Sequence, residues 1–315
     1  MSRWCLLATL TLVACGGSTS DDDGTSPAPP SDDLLSGAGL YADIARRTLA
    51  SGVEPYQPRF ELWSDATTKR RWIKLPPGAD IDTSDMDYWR LPVGTKLFKE
   101  FALDGTLLET RSLERTPEGY EFRTYVWRRD GTDAVRTSTG AVNVNGTQHD
   151  VPEEQKCLDC HEGEPGRALG FSAVQLAGAT PLALADLSDR MSHAPPDYQV
   201  PGSSSVAAAL GYLHANCGSC HNENGPALED TDLVTRLRVS ERTPESTQIY
   251  LTSVGRRLQS WRTFDYSMRV VANDPDQSGL LVRMQVRNDE QMPPFATKHP
   301  DEAGIELVKT WIENL

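Results

Sequence analysis

Two short cysteine motifs constrain this chain more than any other feature of its sequence. The sequences CLDCH at 157–161 and CGSCH at 217–221 each place two cysteines three positions apart, with a histidine directly after the second. The chain has 315 residues and six cysteines, and the other two, Cys5 and Cys15, lie near the N-terminus. Both motifs therefore have to be accommodated by the fold, together with whatever their thiols bind.

The form C-x-x-C-H is typical of the covalent attachment of c-type haem. In such a site the two thiols form thioethers with the haem vinyl groups, and the adjacent histidine ligates the iron from the proximal side. We therefore predict two covalently bound c-type haems. The predicted attachment residues are Cys157, Cys160, Cys217 and Cys220, and the predicted iron ligands are His161 and His221.

Three other uses of these cysteines are compatible with the spacing. Four cysteines, or three with one histidine, could form a structural zinc site. A C-x-x-C pair could be a thioredoxin-like redox site, although no βαβ pattern surrounds either motif. An exported chain could instead join each pair in a disulfide. An export signal favours haem over these alternatives, because c-type haem is attached outside the cytoplasmic membrane.

The N-terminus has the pattern of a secretory signal. Arg3 precedes a short apolar run that ends in LVAC at 12–15, the layout of a signal peptide. The ending resembles the lipobox of bacterial lipoproteins, which implies a signal peptide over 1–14 and a lipid on Cys15. The alternative is an ordinary signal peptide with a chance cysteine. Residues 15–36 are rich in Gly, Ser, Pro and Asp, which predicts a lipidated flexible linker.

The net charge excludes one large class of partner. Asp and Glu number 45 against 31 Lys and Arg, so the formal charge is -14 at pH 7. A surface of this sign repels a phosphate backbone, and we therefore predict no nucleic-acid partner.

Turn signals and composition divide the remaining chain into three parts. Residues 37–150 contain short β-forming runs separated by dipeptides such as Asp104-Gly105, which predict a mainly β domain, an antiparallel sandwich or open barrel. Residues 151–202 form the first haem-binding segment, and 203–315 carry the second motif. The expected strands are at 59–63, 69–75, 96–103, 107–113, 120–127 and 134–138, and a short helix is expected at 38–50.

The region around the second motif has helical patterns at 203–216 and 301–315. A helix, a C-x-x-C-H motif, a methionine loop and a closing helix resemble the class I cytochrome c fold. We therefore expect an all-α class I cytochrome c-like domain over 203–315. The resemblance implies Met292, within QMPPF, as the distal ligand of the second haem. It also implies that a backbone carbonyl of Gly225-Pro226 accepts from the other nitrogen of the proximal histidine. The alternative methionine is Met284, whose amphipathic surroundings favour a core position.

No equivalent methionine loop lies between the two motifs, so the sixth ligand of the first haem stays open. An iron with an empty position can bind or activate a small molecule, whereas a closed one only transfers electrons. An empty position is one alternative, and the candidate side chains are Met191, His193, His149, Met86 and His214.

Longer segments are similar to a group of diheme c-type cytochromes of Gram-negative bacteria. They are FELWSDATTKRRWIKLPPG from 60, TYVWRRDGTDAV from 124, YLHANCGSCHN from 212 and QMPPF from 291. The cytochromes of this group pair an N-terminal β-rich domain with a C-terminal cytochrome c module. The resemblance implies extracytoplasmic electron transfer with periplasmic or outer-membrane redox partner proteins.

The residue after the lipobox cysteine, Gly16, is not the Asp that retains enteric lipoproteins at the inner membrane. By that analogy we expect a lipid anchor at the periplasmic face of the outer membrane. The predicted function is therefore a membrane-anchored electron carrier and not an enzyme. The alternative is a peroxidase-like redox enzyme in which the first haem is the catalytic centre.

Overall fold

The computed structural model describes residues 33–179, 181–259, 266–295 and 297–315. The predicted signal peptide, Cys15 and most of the predicted linker lie outside the described residues. The strands are β1 (Tyr41–Asp43), β2 (Thr48–Leu49), β3 (Val53–Tyr56), β4 (Thr68–Lys74), β5 (Lys96–Leu103), β6 (Thr106–Thr116), β7 (Gly119–Trp127) and β8 (Ala134–Arg136). The α-helices are α1 (Cys157–His161), α2 (Ala173–Leu176), α3 (Ser204–Cys217), α4 (Gln248–Ser253), α5 (Gly279–Gln285) and α6 (Glu302–Glu313).

A six-stranded antiparallel sheet is the centre of the fold. Its strands lie in the order β3-β4-β5-β6-β7-β8, so neighbours in the chain are neighbours in the sheet. The expected strands at 69–75, 96–103, 107–113, 120–127 and 134–138 correspond to β4 to β8. Asp104 and Gly105 join β5 to β6 with φ of 48° and 80°, the positive values that a two-residue hairpin turn requires.

One face of this sheet is covered by the N-terminal segment. Trp72 and Phe98 form a buried cluster with Leu35 and Tyr41, and β1 and β2 pair as a two-stranded antiparallel ribbon. The prediction of a helix at 38–50 is therefore wrong. Burial of Leu35 and Tyr41 against the sheet outweighs local helix propensity, which is only a weak determinant of structure.

The opposite face, called the inner face here, is covered by the segment that follows the sheet in the chain. Ile73, Leu97 and Leu113 occupy paired positions in β4, β5 and β6. Their side chains pack with Phe171 and Leu176 in one buried cluster. The inner face therefore supports the part of the chain that carries the first motif.

The segment 59–63, expected as a strand, instead connects the sheet region to α3. The backbone N–H of Trp63 donates to Oδ1 of Asn216 at 2.7 Å, and Nδ2 of Asn216 donates to the carbonyl of Glu61 at 3.1 Å. The ring of Phe60 packs on Gly211, where a Cβ would overlap the ring. These bonds to α3 satisfy backbone groups that a strand would have used within the sheet.

The helices expected at 203–216 and 301–315 are present as α3 and α6. Ala209 and Leu213 of α3 lie in one buried cluster with Trp311 of α6. Gly304 of α6 lies so close to the ring of Tyr212 of α3 that an added Cβ would overlap it, so this small residue allows the two helices to approach each other. Local apolar periodicity was sufficient to locate both helices.

The predicted fold class is nevertheless wrong, because these helices do not belong to an all-α class I cytochrome c-like domain. Between α3 and α6 the described chain holds only α4 and α5, of 6 and 7 residues, with short 3-10 turns and irregular segments around them. Pro226, Pro244 and Pro275 each begin such a turn. Proline lacks a backbone N–H and disfavours helix in the residue before it, so long helices cannot run through these points.

The N-terminal part is mainly β and antiparallel, as expected, but its sheets are not arranged as the expected sandwich or open barrel. Its large sheet runs from β3 to β8 without closing on itself, and the second sheet is only the β1–β2 ribbon. The described chain is therefore organised around two antiparallel sheets of unequal size, with short helices beside them.

Candidate haem-attachment sites

The two cysteine motifs lie against each other. The first motif forms α1, and the second begins at the last residue of α3. Sγ of Cys220 lies 3.7 Å from the carbonyl oxygen of Asp159, which belongs to the first motif. A Cβ added to Gly163 would overlap the carbonyl oxygen of Ser219 and lie 2.8 Å from Nδ2 of Asn222. The loop after the first motif is therefore in backbone contact with the second motif.

All four thiols of the motifs are free. Burial and the neighbouring Cys220 raise the pKa of Cys160 to about 11, and burial raises the pKa of Cys217 to about 12. Reactive redox cysteines have lowered pKa values in positively charged, accessible surroundings. These thiols are therefore protonated at neutral pH and do not have the character of a thioredoxin-like pair.

His161 is held by the loop that follows it. Its Nδ1 donates to the carbonyl of Arg167 at 2.5 Å, and Nη1 of Arg167 donates back to the carbonyl of His161 at 3.1 Å. The ring of Phe122 meets the imidazole edge to face, with centroids 5.0 Å apart. Metal-ligating histidines typically donate their second ring N–H to a carbonyl in this way. Because burial lowers the pKa of His161 to about 4, the ring is neutral and its Nε2 can bind a metal.

His221 is also neutral, but it is held differently. Burial lowers the pKa of His221 to about 4, and the nearby backbone of Leu233 opposes this by raising the pKa. Its Nδ1 is nevertheless buried without a hydrogen bond of normal geometry. The expected bond from this nitrogen to a carbonyl of Gly225-Pro226 is therefore not formed. The carbonyl of Gly225 instead accepts from the backbone N–H of Leu228 at 3.2 Å, within the 3-10 turn Pro226–Glu229.

Met292 and Met284 occupy different surroundings. Met284 is 5% exposed and belongs to the cluster between α3, α5 and α6, so its expected core position is confirmed. Met292 lies partly exposed in the loop after α5, and its backbone N–H donates to the carbonyl of Arg283 at 2.8 Å. The charge of Arg283 is also among those that act on the ring of His221. The loop that carries Met292 is therefore bonded to Arg283, a residue whose charge acts on His221.

His149, a candidate sixth ligand of the first haem, is part of a buried ion group. Its Nε2 donates to Oε1 of Glu109 at 2.8 Å. Arg111 donates to both oxygens of the same carboxylate, at 2.8 Å and 2.6 Å. Nε2 of His149, which would otherwise be free for a metal, is therefore hydrogen-bonded to Glu109.

The other four candidates also have structural partners. Nδ1 of His193 is 3.0 Å from Oγ of Ser192, and Nδ1 of buried His214 accepts from a backbone N–H at 3.1 Å. Met191 belongs to the cluster at the inner face, and Met86 packs against that cluster. His214, Met191 and Met86 therefore contribute to the packed interior, whereas the side chain of His193 is exposed.

A row of positive side chains on the inner face was not predicted from the sequence. Arg71 of β4 pairs with Lys99 of β5, and Lys99 pairs with Arg111 of β6. Because alternate residues of a strand share a face, this basic row continues the face that begins with Ile73, Leu97 and Leu113. The available signal was the placement of charges at alternate positions beside apolar residues in predicted strands.

A buried arginine, Arg236, was also missed. Its Nη1 forms an ion pair with Glu164 in the loop after the first motif. Its guanidinium lies 4.2 Å from the ring centroid of Tyr88, and Nη2 donates to the carbonyl of Asp87. Arg236 therefore links the first motif to the segment after the second motif and to the loop between β4 and β5.

Within the described ranges, no three His, Cys, Asp or Glu side chains are grouped so that they could hold a metal ion. Haem differs from a site built only of side chains, because the porphyrin supplies most of the iron ligands and the protein adds one or two. The free thiols, the neutral histidines and the orphaned Nδ1 of His221 fit such a group.

None of the described helices has both the length and the hydropathy needed to cross a bilayer. Comparison of the chain with models of known protein families, with curated proteins and with solved structures finds no match.

Proposed function

We propose that this chain is a diheme c-type cytochrome that carries electrons between redox partner proteins outside the cytoplasm. A lipid on Cys15 anchors it to the membrane, and His161, His221 and Met292 are iron ligands. The haem supplies a reversible one-electron change at its iron, and the protein supplies attachment, ligation and shielding from water. The thioether residues are Cys157, Cys160, Cys217 and Cys220.

The contact between the two motifs is the observation that carries this proposal. Electron transfer between two centres weakens steeply with their separation. Motifs that touch through Cys220 and Asp159 hold their bound groups in one connected region of the protein. Two attachment sites in one region support a relay better than two independent binding sites.

The fold also favours the metal-binding protonation state of both proposed proximal ligands. Burial favours the neutral form of His161 and His221, and only a neutral imidazole has a nitrogen lone pair for a metal. The carbonyl of Arg167 fixes the orientation of the first ring. Loss of an orienting hydrogen bond of this kind typically lowers metal affinity by roughly 10- to 100-fold.

The test is expression of the full chain with a c-type maturation system. A red protein heavier than its processed polypeptide by two haems, retained after acid–acetone extraction, is expected. The double variant Cys217→Ala/Cys220→Ala should lose one haem, and Cys157→Ala/Cys160→Ala should lose the other. Cys5→Ser is the matched control and should retain both. A colourless product that contains zinc would overturn the proposal.

A second measurement separates an electron carrier from a peroxidase-like enzyme. A carrier with both irons six-coordinate is low-spin when ferric, and its reduced form binds carbon monoxide poorly. A catalytic first haem has an open iron position, shows a high-spin signal and takes up carbon monoxide or peroxide readily. Electron paramagnetic resonance and carbon monoxide titration of the two-haem protein distinguish these outcomes.

A further inference from the structure

The basic row has more positive charge than the neighbouring carboxylates neutralise. Arg111 is paired with Glu109, and Nη1 of Arg71 lies 3.6 Å from a carboxylate oxygen of Glu61. Lys99, between them, forms no ion pair with a described carboxylate. Its ammonium lies over the ring of Phe101, 4.8 Å from the centroid. The central member of the row therefore lacks an anionic partner.

This unpaired charge is partly shielded from solvent, because Lys99 is half-buried and its neighbour Arg71 is buried. The side chain of Arg71 is only 4% exposed. Burial, followed by the charges of Arg71 and Arg111, holds the pKa of Lys99 well below its usual range. An unpaired charge that is withdrawn from water is unfavourable unless an opposite charge compensates it. The row is therefore suited to a bound anion.

The basic row lies beside the first cysteine motif. Leu113, two residues after Arg111 on the inner face, pairs with Phe122 of β7, and the ring of Phe122 packs on His161. The backbone N–H of Thr124, which pairs with Arg111, donates to Oε1 of Glu154 at 3.1 Å. Glu154 lies three residues before Cys157, the first residue of the first motif, so the same strand contacts both the segment that leads into the motif and one end of the row.

We propose that the basic row of Arg71, Lys99 and Arg111 binds the propionate carboxylates of the haem attached at Cys157 and Cys160. This assignment rests on the proposed function, because it requires a haem at the first motif. Neighbouring strands are about 4.8 Å apart, so the row spans about 10 Å across three strands. Two carboxylates on one edge of a porphyrin can therefore meet different members of the row. Guanidinium groups and ammonium ions both form strong charge-assisted bonds to carboxylates.

The assignment also explains the sequence of the sheet. Charged side chains on the covered face of a sheet are costly, and an apolar residue would be expected in place of Lys99. A bound carboxylate offsets that cost and places the haem edge against the sheet. The sheet then acts as part of the haem-binding site and not only as its support.

The test measures the reduction potentials of both haems in the full-length protein and in Lys99→Gln. Reduction adds an electron to the haem, so a half-buried cation nearby stabilises the reduced form. Lys99→Gln should lower the potential of one haem and leave the other unchanged. Lys99→Arg keeps the charge and should restore the wild-type value. The haem that responds should be the one whose potential is unaffected by Met292→Ala.

Lys96→Gln is the matched control. Lys96 lies on the same strand but on the other face, and its partner Glu114 keeps a second contact with Arg123. Unchanged potentials in Lys99→Gln, or an equal shift in Lys96→Gln, would overturn the assignment. If Lys99→Gln does not fold, Arg71→Gln provides the same test, since Lys69 still pairs with Glu61. A wild-type product whose mass includes no haem contradicts the proposed function instead, so the two failures are distinguishable.

Discussion

Sγ of Cys220 lies 3.7 Å from the carbonyl oxygen of Asp159, so the two C-x-x-C-H motifs are in direct contact. They are separated by about sixty residues in the chain, and α3 brings the second motif to the first. The contact is dense, because a Cβ added to Gly163 would overlap the carbonyl oxygen of Ser219 and lie 3.0 Å from Cα of Gly225.

The substitution Gly163→Ala tests how tightly the motifs are packed. Gly163 has no positive φ, so the expected effect is steric: the new Cβ would overlap the carbonyl of Ser219. We expect a loss of about 1–3 kcal/mol in the free energy of unfolding, measured by denaturant titration. Glu162→Ala, at the exposed neighbouring position, should change it by less than about 0.5 kcal/mol. Equal stability of Gly163→Ala and wild type would contradict the packing.

Met292→Ala tests the distal ligand of the second haem. Removal of a thioether ligand should abolish the methionine-to-iron charge-transfer band and lower the potential of one haem, because Met/His ligation raises the potential. Optical spectra and redox titration measure both effects.

Met284→Leu is the matched control for Met292→Ala. Met284 is a buried core residue, and a volume-conserving change there should leave the spectrum intact and cost less than about 1.5 kcal/mol. If instead Met284→Leu abolishes the band and Met292→Ala does not, Met284 is the ligand.

The buried carboxylate of Glu109, with Arg111 and His149 bonded to it, predicts that the fold becomes less stable at acidic pH. Burial alone would raise the pKa of Glu109, but Arg111 and His149 lower it to about 2. A carboxyl whose pKa is lower in the folded than in the unfolded state stabilises the fold above the unfolded pKa. That stabilisation, on the order of 3 kcal/mol, is lost as the pH falls through the folded pKa. Stability should therefore decrease between about pH 4.5 and pH 2.

Glu109→Gln should remove that contribution and flatten the pH dependence in this window. Because it breaks a buried pair, it should also cost about 3–5 kcal/mol at neutral pH. Denaturant unfolding at several pH values measures both effects. Glu121→Gln is the control, since Glu121 is half exposed and pairs only at the surface. An unchanged acid profile in Glu109→Gln would show that Glu109 is not the group responsible.

Cys15→Ser tests the lipid anchor. Metabolic labelling with palmitate should mark the wild type and the Cys5→Ser control, because Cys5 leaves with the predicted signal peptide. Cys15→Ser should remain unlabelled and lose its membrane association on fractionation. Label on Cys15→Ser would exclude Cys15 as the lipid site.

Several structural features could be predicted from short stretches of sequence. The hairpin at Asp104-Gly105 depends on two residues that tolerate positive φ, and α3 and α6 depend on apolar residues at helical spacing. The core position of Met284 follows from the same periodicity. Each of these features is determined by neighbours in the chain, so the sequence alone was sufficient to locate them.

The tertiary structure decided what depends on residues far apart in the chain. The segment 38–50 forms a ribbon because the sheet offers Leu35 and Tyr41 a place to be buried. The class I fold expected from α3 and α6 does not form, because the intervening chain packs as short turns instead of helices. The basic row arises because strand register aligns Arg71, Lys99 and Arg111. Register, burial and the contact between the two motifs are set by long-range packing, which local sequence patterns do not encode.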